Sequence, residues 1–332
     1  MKKILFLLLP SLFIISCKQE TKPSKHSFKG ETMGSYYSIT YFAPTEAVTQ
    51  TQVDSFLTFF NKSLSTWDTT SLITSINKAE TVCITDSLFR QLYRISKEVN
   101  HFSSGAFDPT GTPLFEAWGF GLKNAETMDS SKVESLLHYV GIDKCYLAGD
   151  SLYKAQTGIK FSFNAIAPGY AADLIAQILL QHGVESFLID IGGEFSSHGK
   201  KEDGTDWIVG IEKPIENKNQ QNEAQAYITL QNNEALATSG NYRKFYYKDG
   251  KKYSHTINPK TGYPVNHNLL SATIIAKDGA TADAYATTCM VLGLEKGKEF
   301  VAQQGIKAYF IYDDNGELKE FVTENLKAQF SK

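Results

Sequence analysis

Asp283 and Thr287 stand four residues apart in an Ala-rich stretch that runs from Ala280 to Gly293. Ala, Leu and Met favour a helix and Gly293 can end it, so we expect both side chains on one helix face. A carboxylate above a hydroxyl offers the hard oxygen ligands that Mg²⁺ prefers, with water and substrate phosphates completing its shell. In the structural alternative, Asp283 favours the helix dipole near the N-terminus and Thr287 bonds back to the preceding turn.

Two other segments carry residues that suit phosphate chemistry. His255 lies in a turn-rich stretch inside a β-rich region, and its ordinary pKa of about 6.5 suits a proton acceptor or a phosphate contact. A histidine in a strand more often has a structural role, so that alternative stays open. Gly192-Gly193 follows a buried strand that we expect from Val184 to Ile191, and a helix beginning there would offer free N–H groups to a phosphate.

The remaining pattern alternates helices and strands, with no internal repeat and no linker in the mature chain. Apolar spacing and turn residues predict the elements around the candidate residues. They are a strand pair or bent strand over Phe28–Tyr41 with Met33-Gly34 at the bend, a helix over Thr51–Leu64 followed by a loop with Trp67, a helix over Asp86–Val99 capped by Thr85, an irregular loop over Ser103–Leu114, a strand over Phe161–Phe163, and a helix that opens at Pro168.

Composition describes a globular protein that is not built to bind nucleic acid. The 332 residues are 42% hydrophobic with a formal charge of −3, which is enough apolar material for one large domain or two modest ones. Nucleic-acid binding would need a clustered basic surface, and the sequence has none.

The first 17 residues read as a targeting signal. Lys2-Lys3 precede an apolar stretch, Ile4 to Ile15, that is shorter than the roughly 20 residues of a membrane-spanning helix. Ile14 to Cys17 resembles a bacterial lipobox, so we expect Cys17 to be lipidated. The lipid would hold the domain at a membrane on the periplasmic side, through a polar tether of residues 18–27. The alternative is an ordinary signal peptide with an incidental cysteine. The other three cysteines show no zinc spacing, and we assign them no chemistry.

Several separate motifs, taken in order from Met33 to Gly293, resemble the ApbE family of FAD:protein FMN transferases. They are Met33-Gly34-Ser35, Gly105-Ala106-Phe107-Asp108-Pro109-Thr110, Asn164-Ala165-Ile166-Ala167-Pro168-Gly169-Tyr170-Ala171-Ala172-Asp173, Ile189-Asp190-Ile191-Gly192-Gly193, Thr238-Ser239-Gly240-Asn241-Tyr242, Ser254-His255-Thr256-Ile257-Asn258-Pro259-Lys260-Thr261-Gly262 and Ala282-Asp283-Ala284-Tyr285-Ala286-Thr287. One such motif could be chance, but seven in register are a strong signal.

The resemblance implies an α+β fold of the T-fold-like kind, with mixed or antiparallel sheets and surrounding helices, in one domain over residues 28–332. It also implies a membrane-anchored lipoprotein that uses Mg²⁺ and transfers FMN from FAD to a Thr or Ser hydroxyl of an acceptor protein, releasing AMP.

The resemblance also assigns residues to the site. Asp283 and Thr287 match Mg²⁺ ligands, and the Ala165 and Ala286 positions complete that set. The positions that match the FAD lining are Met33, Trp67, Ala106, Phe107, Asp108, Ser162, Pro168 and Thr256. His255 is the candidate for helping to deprotonate the acceptor hydroxyl or for contacting the phosphate.

This chain departs from the common family pattern at three positions. Pro168 stands where many members have Lys or another polar residue, so one side-chain contact to the nucleotide is missing. Asn241 and Asn258 replace an Asp that is often seen in their motifs, which could reduce metal or ribose contacts. Asp283 and Thr287 are unchanged, so we still expect the chain to bind FAD and Mg²⁺.

Two other functions would use the same residues. A flavin-nucleotide pyrophosphatase would let water replace the protein hydroxyl, so that free FMN and AMP form. A tethered flavin-binding or storage lipoprotein would bind FAD without turnover.

Overall fold

The computed structural model describes residues 22–121, 125–214, 224–231, 233–242, 245–248 and 250–332. The predicted signal peptide and Cys17 lie outside these residues. In the part of the chain that is described, no helix is long and apolar enough to cross a membrane. Cys83, Cys145 and Cys289 are buried and free.

Helices and strands are mixed along the chain. The helices are α1 (Gln50–Leu64), α2 (Leu72–Lys78), α3 (Ser87–Phe102), α4 (Thr112–Ala117), α5 (Ser130–Leu137), α6 (Ala167–Gln181), α7 (Gly279–Leu292) and α8 (Leu294–Gln304), with 3₁₀ turns at Ile142–Lys144 and Glu324–Gln329. The strands are β1 (Ser24–Thr32), β2 (Ser35–Ala43), β3 (Val82–Ile84), β4 (Cys145–Ala148), β5 (Ser151–Lys154), β6 (Phe187–Ile191), β7 (Glu194–His198), β8 (Trp207–Glu212), β9 (Ala224–Leu230), β10 (Ala235–Gly240), β11 (Phe245–Lys248), β12 (Lys251–Ser254), β13 (Leu269–Ala276), β14 (Lys307–Asp314), β15 (Glu317–Val322) and β16 (Phe330–Ser331).

An eight-stranded antiparallel sheet, in the order β1-β2-β6-β7-β10-β13-β14-β15, forms the centre of the fold. One face carries the main core, where α6 and α7 pack on the sheet. Part of the other face is covered by the small sheet β16-β9-β8, with a second apolar cluster between them. Alternate residues of each strand therefore enter different cores. The predicted α+β class with antiparallel sheets is confirmed.

The strand pair at the start of the domain turns at Met33-Gly34, as predicted. Met33 and Gly34 have φ angles of 53° and 73°, and two left-handed residues in succession give the hairpin geometry that follows strand twist. β1 begins at Ser24, so residues 24–27 of the predicted tether belong to the strand.

Helix α7 forms where the Ala-rich stretch predicts it. The Asp278 side chain accepts a hydrogen bond from the Thr281 N–H and caps the first turn. Gly293 follows the last turn with a φ of 77°, a backbone conformation that glycine adopts without strain. The helix is buried on most sides, because small residues let it lie between the sheet and α6.

Three local predictions are wrong. Asp86, not Thr85, caps α3, because its carboxylate accepts from the Phe89 N–H. Residues 161–163 form no strand; Phe161 instead pairs its backbone with the Asn77 side chain. Gly192-Gly193 leads into strand β7, so no helix N-terminus is available there for a phosphate.

Candidate functional site

The strand register brings four of the seven motifs to one end of the main sheet. Tyr37 of β2 pairs with Ile191 of β6, so the Met33-Gly34 turn lies beside the Gly192-Gly193 turn. The Gly192 N–H donates to the Tyr36 carbonyl oxygen at 2.9 Å. Strand β10 runs past the Gly192 turn to Gly240, and α7 packs on β10 and β13. The chemistry-bearing residues of α7 therefore face this end of the sheet.

Asp283 lies where α7 crosses the start of α6. Its Oδ2 accepts a hydrogen bond from the Gly169 N–H at 3.2 Å, and the residue is only 5% exposed. The helices touch at their glycines, since a Cβ on Gly169 would lie 2.1 Å from the Gly279 carbonyl oxygen. Burial and the nearby charge of Asp173 raise the pKa of Asp283 to about 7, against the opposing effect of the Gly169 bond. A cation beside this carboxyl would favour its ionised form.

Thr287 lies one turn beyond Asp283 and faces strand β10. Its hydroxyl hydrogen-bonds to the Ser239 hydroxyl at 3.1 Å, and it does not bond back to its own helix. The back-bonding residue is Thr288, which donates to the Ala284 carbonyl at 2.8 Å. If Thr287 donates its proton to Ser239, its lone pairs are free for a cation, so Ser239 can orient the ligand.

These residues fit a hard divalent cation. Among the described residues Asp283 Oδ1 makes no hydrogen bond, so the carboxylate keeps one oxygen for a ligand. Ala165 and Ala286 could contribute only backbone carbonyls, and Ala165 lies just before α6, close to the Gly169 contact. In the described ranges, no group of three or more His, Cys, Asp or Glu residues is arranged to hold a metal ion. One carboxylate with neutral oxygens suits Mg²⁺, which keeps water and binds substrate phosphates.

The predicted flavin-lining loop packs against two other predicted segments. The Ser162 N–H donates to the Pro109 carbonyl at 2.8 Å, which joins Ser162 to the loop that holds Ala106 and Phe107. On the other side, a Cβ on Gly105 would meet Lys260 at 3.8 Å. Lys260 belongs to the same loop as Thr256, which is buried. Three segments distant in sequence thus form one wall.

Asp108 anchors this wall through four hydrogen bonds. Its Oδ1 accepts from the Thr110 N–H (2.9 Å) and the Thr110 hydroxyl (2.6 Å). Its Oδ2 accepts from the Ile142 N–H (3.0 Å) and the Asn100 amide (3.2 Å). Burial raises its pKa, while the Thr110 and Ile142 donors stabilise the charged form. The side chain is therefore committed to the loop, and only its backbone remains for a ligand.

We expect Asp108→Asn to lower the free energy of unfolding by about 2 to 4 kcal/mol, because an amide NH₂ would face a donor in a buried site. Chemical denaturation measures this. Asp203→Asn is a matched control, since Asp203 Oδ1 accepts from the N–H (2.9 Å) and hydroxyl (2.6 Å) of Thr205 in the same geometry, but on the surface. Equal losses in the two variants would contradict a buried anchor.

The turn that holds Met33 lies close to the end of helix α1, and Trp67 follows that helix. Residues 31–36 line a cavity of about 630 Å³, a size that suits part of a nucleotide. The end of α1 is tied to this turn, because the Asn61 amide donates to the Thr32 hydroxyl at 3.2 Å. Trp67 follows α1 and is 54% exposed, so its indole is available to a flat ring.

The other predicted residues are His255, Pro168, Asn258 and Asn241. His255 is partly exposed, with its ring 6.4 Å from that of Phe120. Pro168 occupies the first turn of α6 as predicted. Asn258 accepts from the Lys260 N–H (2.9 Å), which shapes its loop, and the Asn241 amide donates to the Leu269 carbonyl (3.0 Å). The roles of these residues in binding or catalysis stay predictions.

Sequence reasoning missed Asp173. Its half-buried carboxylate lies against the start of α7 and accepts from the Gly279 and Ala280 N–H groups at 2.7 and 2.9 Å. Burial raises its pKa to about 7. A signal was available, because α6 and α7 each contain a glycine followed four residues later by an aspartate: Gly169 with Asp173, and Gly279 with Asp283.

Comparison with known proteins identifies the family of this chain. The sequence profile described as the ApbE family matches residues 33–310. The FAD:protein FMN transferase of Escherichia coli K12 is 31% identical, covering 97% of this chain and 95% of that protein. The Haemophilus influenzae enzyme of the same name is also 31% identical, covering 96% and 94%.

Solved structures give the same result. The apo form of the flavinyl transferase ApbE from Pseudomonas stutzeri superposes with a TM-score of 0.83 at 31% identity, covering 93% of this chain and 97% of that one. The flavin transferase ApbE from Vibrio cholerae gives 0.82 at 28% identity, covering 92% and 99%. The predicted T-fold-like architecture is therefore confirmed, and the chain belongs to the ApbE family.

Proposed function

We propose that this chain is an FAD:protein FMN transferase that uses Mg²⁺ held by α7 to transfer FMN from FAD to a Thr or Ser hydroxyl of an acceptor protein. The family and the names of its relatives support the reaction class. The observation that carries the metal-dependent part is the buried Asp283 carboxylate, which keeps one oxygen unpaired among the described residues, one turn from Thr287.

In this proposal Asp283 and Thr287, with the Ala165 and Ala286 carbonyls, hold the cation. Such a cation, when bound, neutralises charge on the diphosphate oxygens and so makes the bond between the two phosphates easier to break. The acceptor hydroxyl attacks the FMN phosphorus, its proton leaves to a base or to water, and AMP departs. His255 is the candidate base or phosphate contact, because an imidazole with an ordinary pKa of about 6.5 suits either task.

In this proposal the predicted flavin-lining residues hold FAD in position. The loop that holds Ala106 and Phe107 is fixed by the Asp108 hydrogen bonds, and the Asn100 amide also donates to the Phe107 carbonyl. Met33 lines the cavity at the β1–β2 turn, and the exposed indole of Trp67, after α1, is apolar surface that can contact a flat ring. A rigid, partly apolar wall limits the positions of the dinucleotide relative to the cation, which favours in-line attack.

The cellular setting is part of the proposal. A lipidated Cys17 would place the domain in the periplasm of a bacterium, tethered to a membrane, and the acceptor would be a protein that exposes a Thr or Ser there. The lipobox and the polar residues after it support this. Labelling cells with a palmitate analogue and comparing the chain with a Cys17→Ser variant tests the anchor.

Mass spectrometry of an acceptor protein after incubation with this chain, FAD and Mg²⁺ tests the function. We expect the acceptor to gain one FMN on a Thr or Ser, AMP to appear in equal amount, and neither product to form with EDTA. The control is the same mixture with the acceptor Thr or Ser replaced by Ala. Free FMN and AMP without modified acceptor would instead identify a pyrophosphatase, and bound, uncleaved FAD would identify a flavin-binding protein.

A further inference from the structure

Two carboxylates, those of the buried Asp283 and the half-buried Asp173, connect α6 and α7 in a reciprocal way. Asp173 of α6 accepts from the first two N–H groups of α7, those of Gly279 (2.7 Å) and Ala280 (2.9 Å). Asp283 of α7 accepts from the Gly169 N–H near the start of α6 (3.2 Å). Each helix thus supplies the carboxylate that satisfies a free N–H group at the start of the other.

The two glycines make this exchange possible. A Cβ on Gly169 would lie 2.1 Å from the Gly279 carbonyl oxygen, and a Cβ on Gly279 would lie 2.5 Å from the Gly169 carbonyl oxygen. In each helix the aspartate follows the glycine by four residues and lies on the same face. The backbones therefore touch, and each aspartate reaches the other helix with a short side chain.

The two carboxylates differ in what remains free. Both oxygens of Asp173 accept from backbone N–H groups, so Asp173 is committed to holding the helices together. Within the described residues only Oδ2 of Asp283 is bonded, which leaves Oδ1 for a cation. Asp173 also borders a cavity of about 690 Å³ that Ala280 and Tyr285 of α7 line as well.

We propose that Asp173 is a positioning residue for the cation site: by bonding to the first N–H groups of α7 it fixes that helix against α6 and so holds the Asp283 carboxylate in place. The inference rests on the proposed function, because it concerns the Mg²⁺ that Asp283 would bind. Groups that orient metal ligands change metal affinity by about 10- to 100-fold when they are replaced. Asp173 does not bond to Asp283 directly but holds the backbone of its helix. We expect an effect of similar size, because Asp283 is the one carboxylate assigned to the cation.

Calorimetric titration of the full-length chain with Mg²⁺ alone, at low temperature, tests the inference. We expect Asp173→Asn to raise the Mg²⁺ Kd by about 10-fold or more. An asparagine offers one acceptor oxygen to two N–H donors, so the start of α7 shifts. The readout is affinity for the ion in the folded protein, which mere loss of stability does not change.

Asp278→Asn is the matched control. Asp278→Asn removes the same charge from the same helix end. Asp278 is exposed and accepts from the Thr281 N–H at 2.8 Å, so it caps its own helix and makes none of the hydrogen bonds between α6 and α7 described above. We expect its Mg²⁺ Kd to stay within about twofold of the parent value, because the crossing is intact. An equal loss of affinity in Asp278→Asn would overturn the inference, since general helix electrostatics would then explain both.

Hydrogen exchange of the parent chain keeps the test independent of whether a variant folds. If the Asp173 bonds and the cation site are coupled, each stabilises the other. Mg²⁺ at ten times its Kd should then slow exchange of the Gly279 and Ala280 amides by roughly 10-fold.

Asp173→Ser serves as a second variant in the Mg²⁺ titration, since the adjoining cavity can admit water beside the smaller side chain.

The outcomes separate the two proposals. If the parent chain binds no Mg²⁺, the metal-dependent part of the proposed function and the positioning role of Asp173 are both wrong. If the parent binds Mg²⁺ but the folded Asp173 variants bind it equally well, or if Mg²⁺ leaves the Gly279 and Ala280 amides unchanged, the proposed function stands and the positioning role of Asp173 is wrong.

Discussion

Asp283→Asn is expected to reduce FMN transfer by about a thousandfold, equivalent to about 4 kcal/mol of transition-state stabilisation. Asparagine keeps the size of the side chain and can still accept from the Gly169 N–H, so the helix crossing should survive. What is lost is the negative charge that binds the cation. The rate of FMN incorporation into the acceptor, measured at saturating FAD over a range of Mg²⁺ concentrations, checks this.

The stability of Asp283→Asn sharpens the same test. Burial raises the pKa of Asp283, so the ionised group is costly in the absence of a cation. The variant should therefore unfold at the same or a higher denaturant concentration than the metal-free parent chain. Asp278→Asn is again the control, with transfer close to that of the parent. Transfer by Asp283→Asn at the parent rate would refute the assigned cation ligand.

Gly169→Ala is expected to lower the free energy of unfolding by about 3 kcal/mol, the upper part of the usual range for overpacking. The added Cβ would lie 2.1 Å from the Gly279 carbonyl oxygen and 3.0 Å from the Asp283 Cβ, and the first of these contacts is with backbone that cannot rotate away. The helices must separate, which weakens the Asp283 and Asp173 hydrogen bonds together. Urea denaturation measures the loss, and a Mg²⁺ titration should show weakened binding.

Gly111→Ala is the matched control for that substitution. Gly111 has an ordinary φ of −65°, and the nearest atom to an added Cβ is the Asp108 carbonyl oxygen at 3.6 Å, a normal contact. We expect a change below about 1 kcal/mol. If both alanine variants were equally stable, the close approach of α6 and α7 would not be a constraint on the site.

The elements that were predicted well are those with local causes. The Met33-Gly34 turn follows from a glycine between two alternating strands, and α7 follows from its helix-forming residues and Gly293. Pro168 at the start of α6 is a local signal of the same kind. In each case the residues that decide the structure are close together in sequence.

The failures involve contacts between distant residues. Strand β7 after Gly193 is held by β6 and β10, and its sequence, with Glu194 and His198 at its ends, carries no strong strand pattern. Phe161 joins no strand of the described residues, because the Asn77 side chain, 84 residues away, takes its backbone hydrogen bonds. Local propensity does not contain such information.

Some residues of the candidate site could be found from local sequence, and others only from contacts between distant residues. Spacing alone placed Asp283 and Thr287 on one face of a helix, and the family resemblance supplied the other residues. Asp173 and Gly279, 106 residues apart, meet only because α6 and α7 cross, so their role needed the structure. Ser239 is similar, since its contact with Thr287 depends on how α7 lies on β10.

A crystal of this chain grown with FAD and Mn²⁺ in place of Mg²⁺, measured for anomalous scattering, tests the central claim most directly. The account predicts one strong peak within coordination distance of Asp283 Oδ1 and Thr287 Oγ1, with diphosphate oxygens of FAD on its open side. A peak elsewhere, or bound FAD whose diphosphate lies beyond the reach of Asp283, would contradict the account.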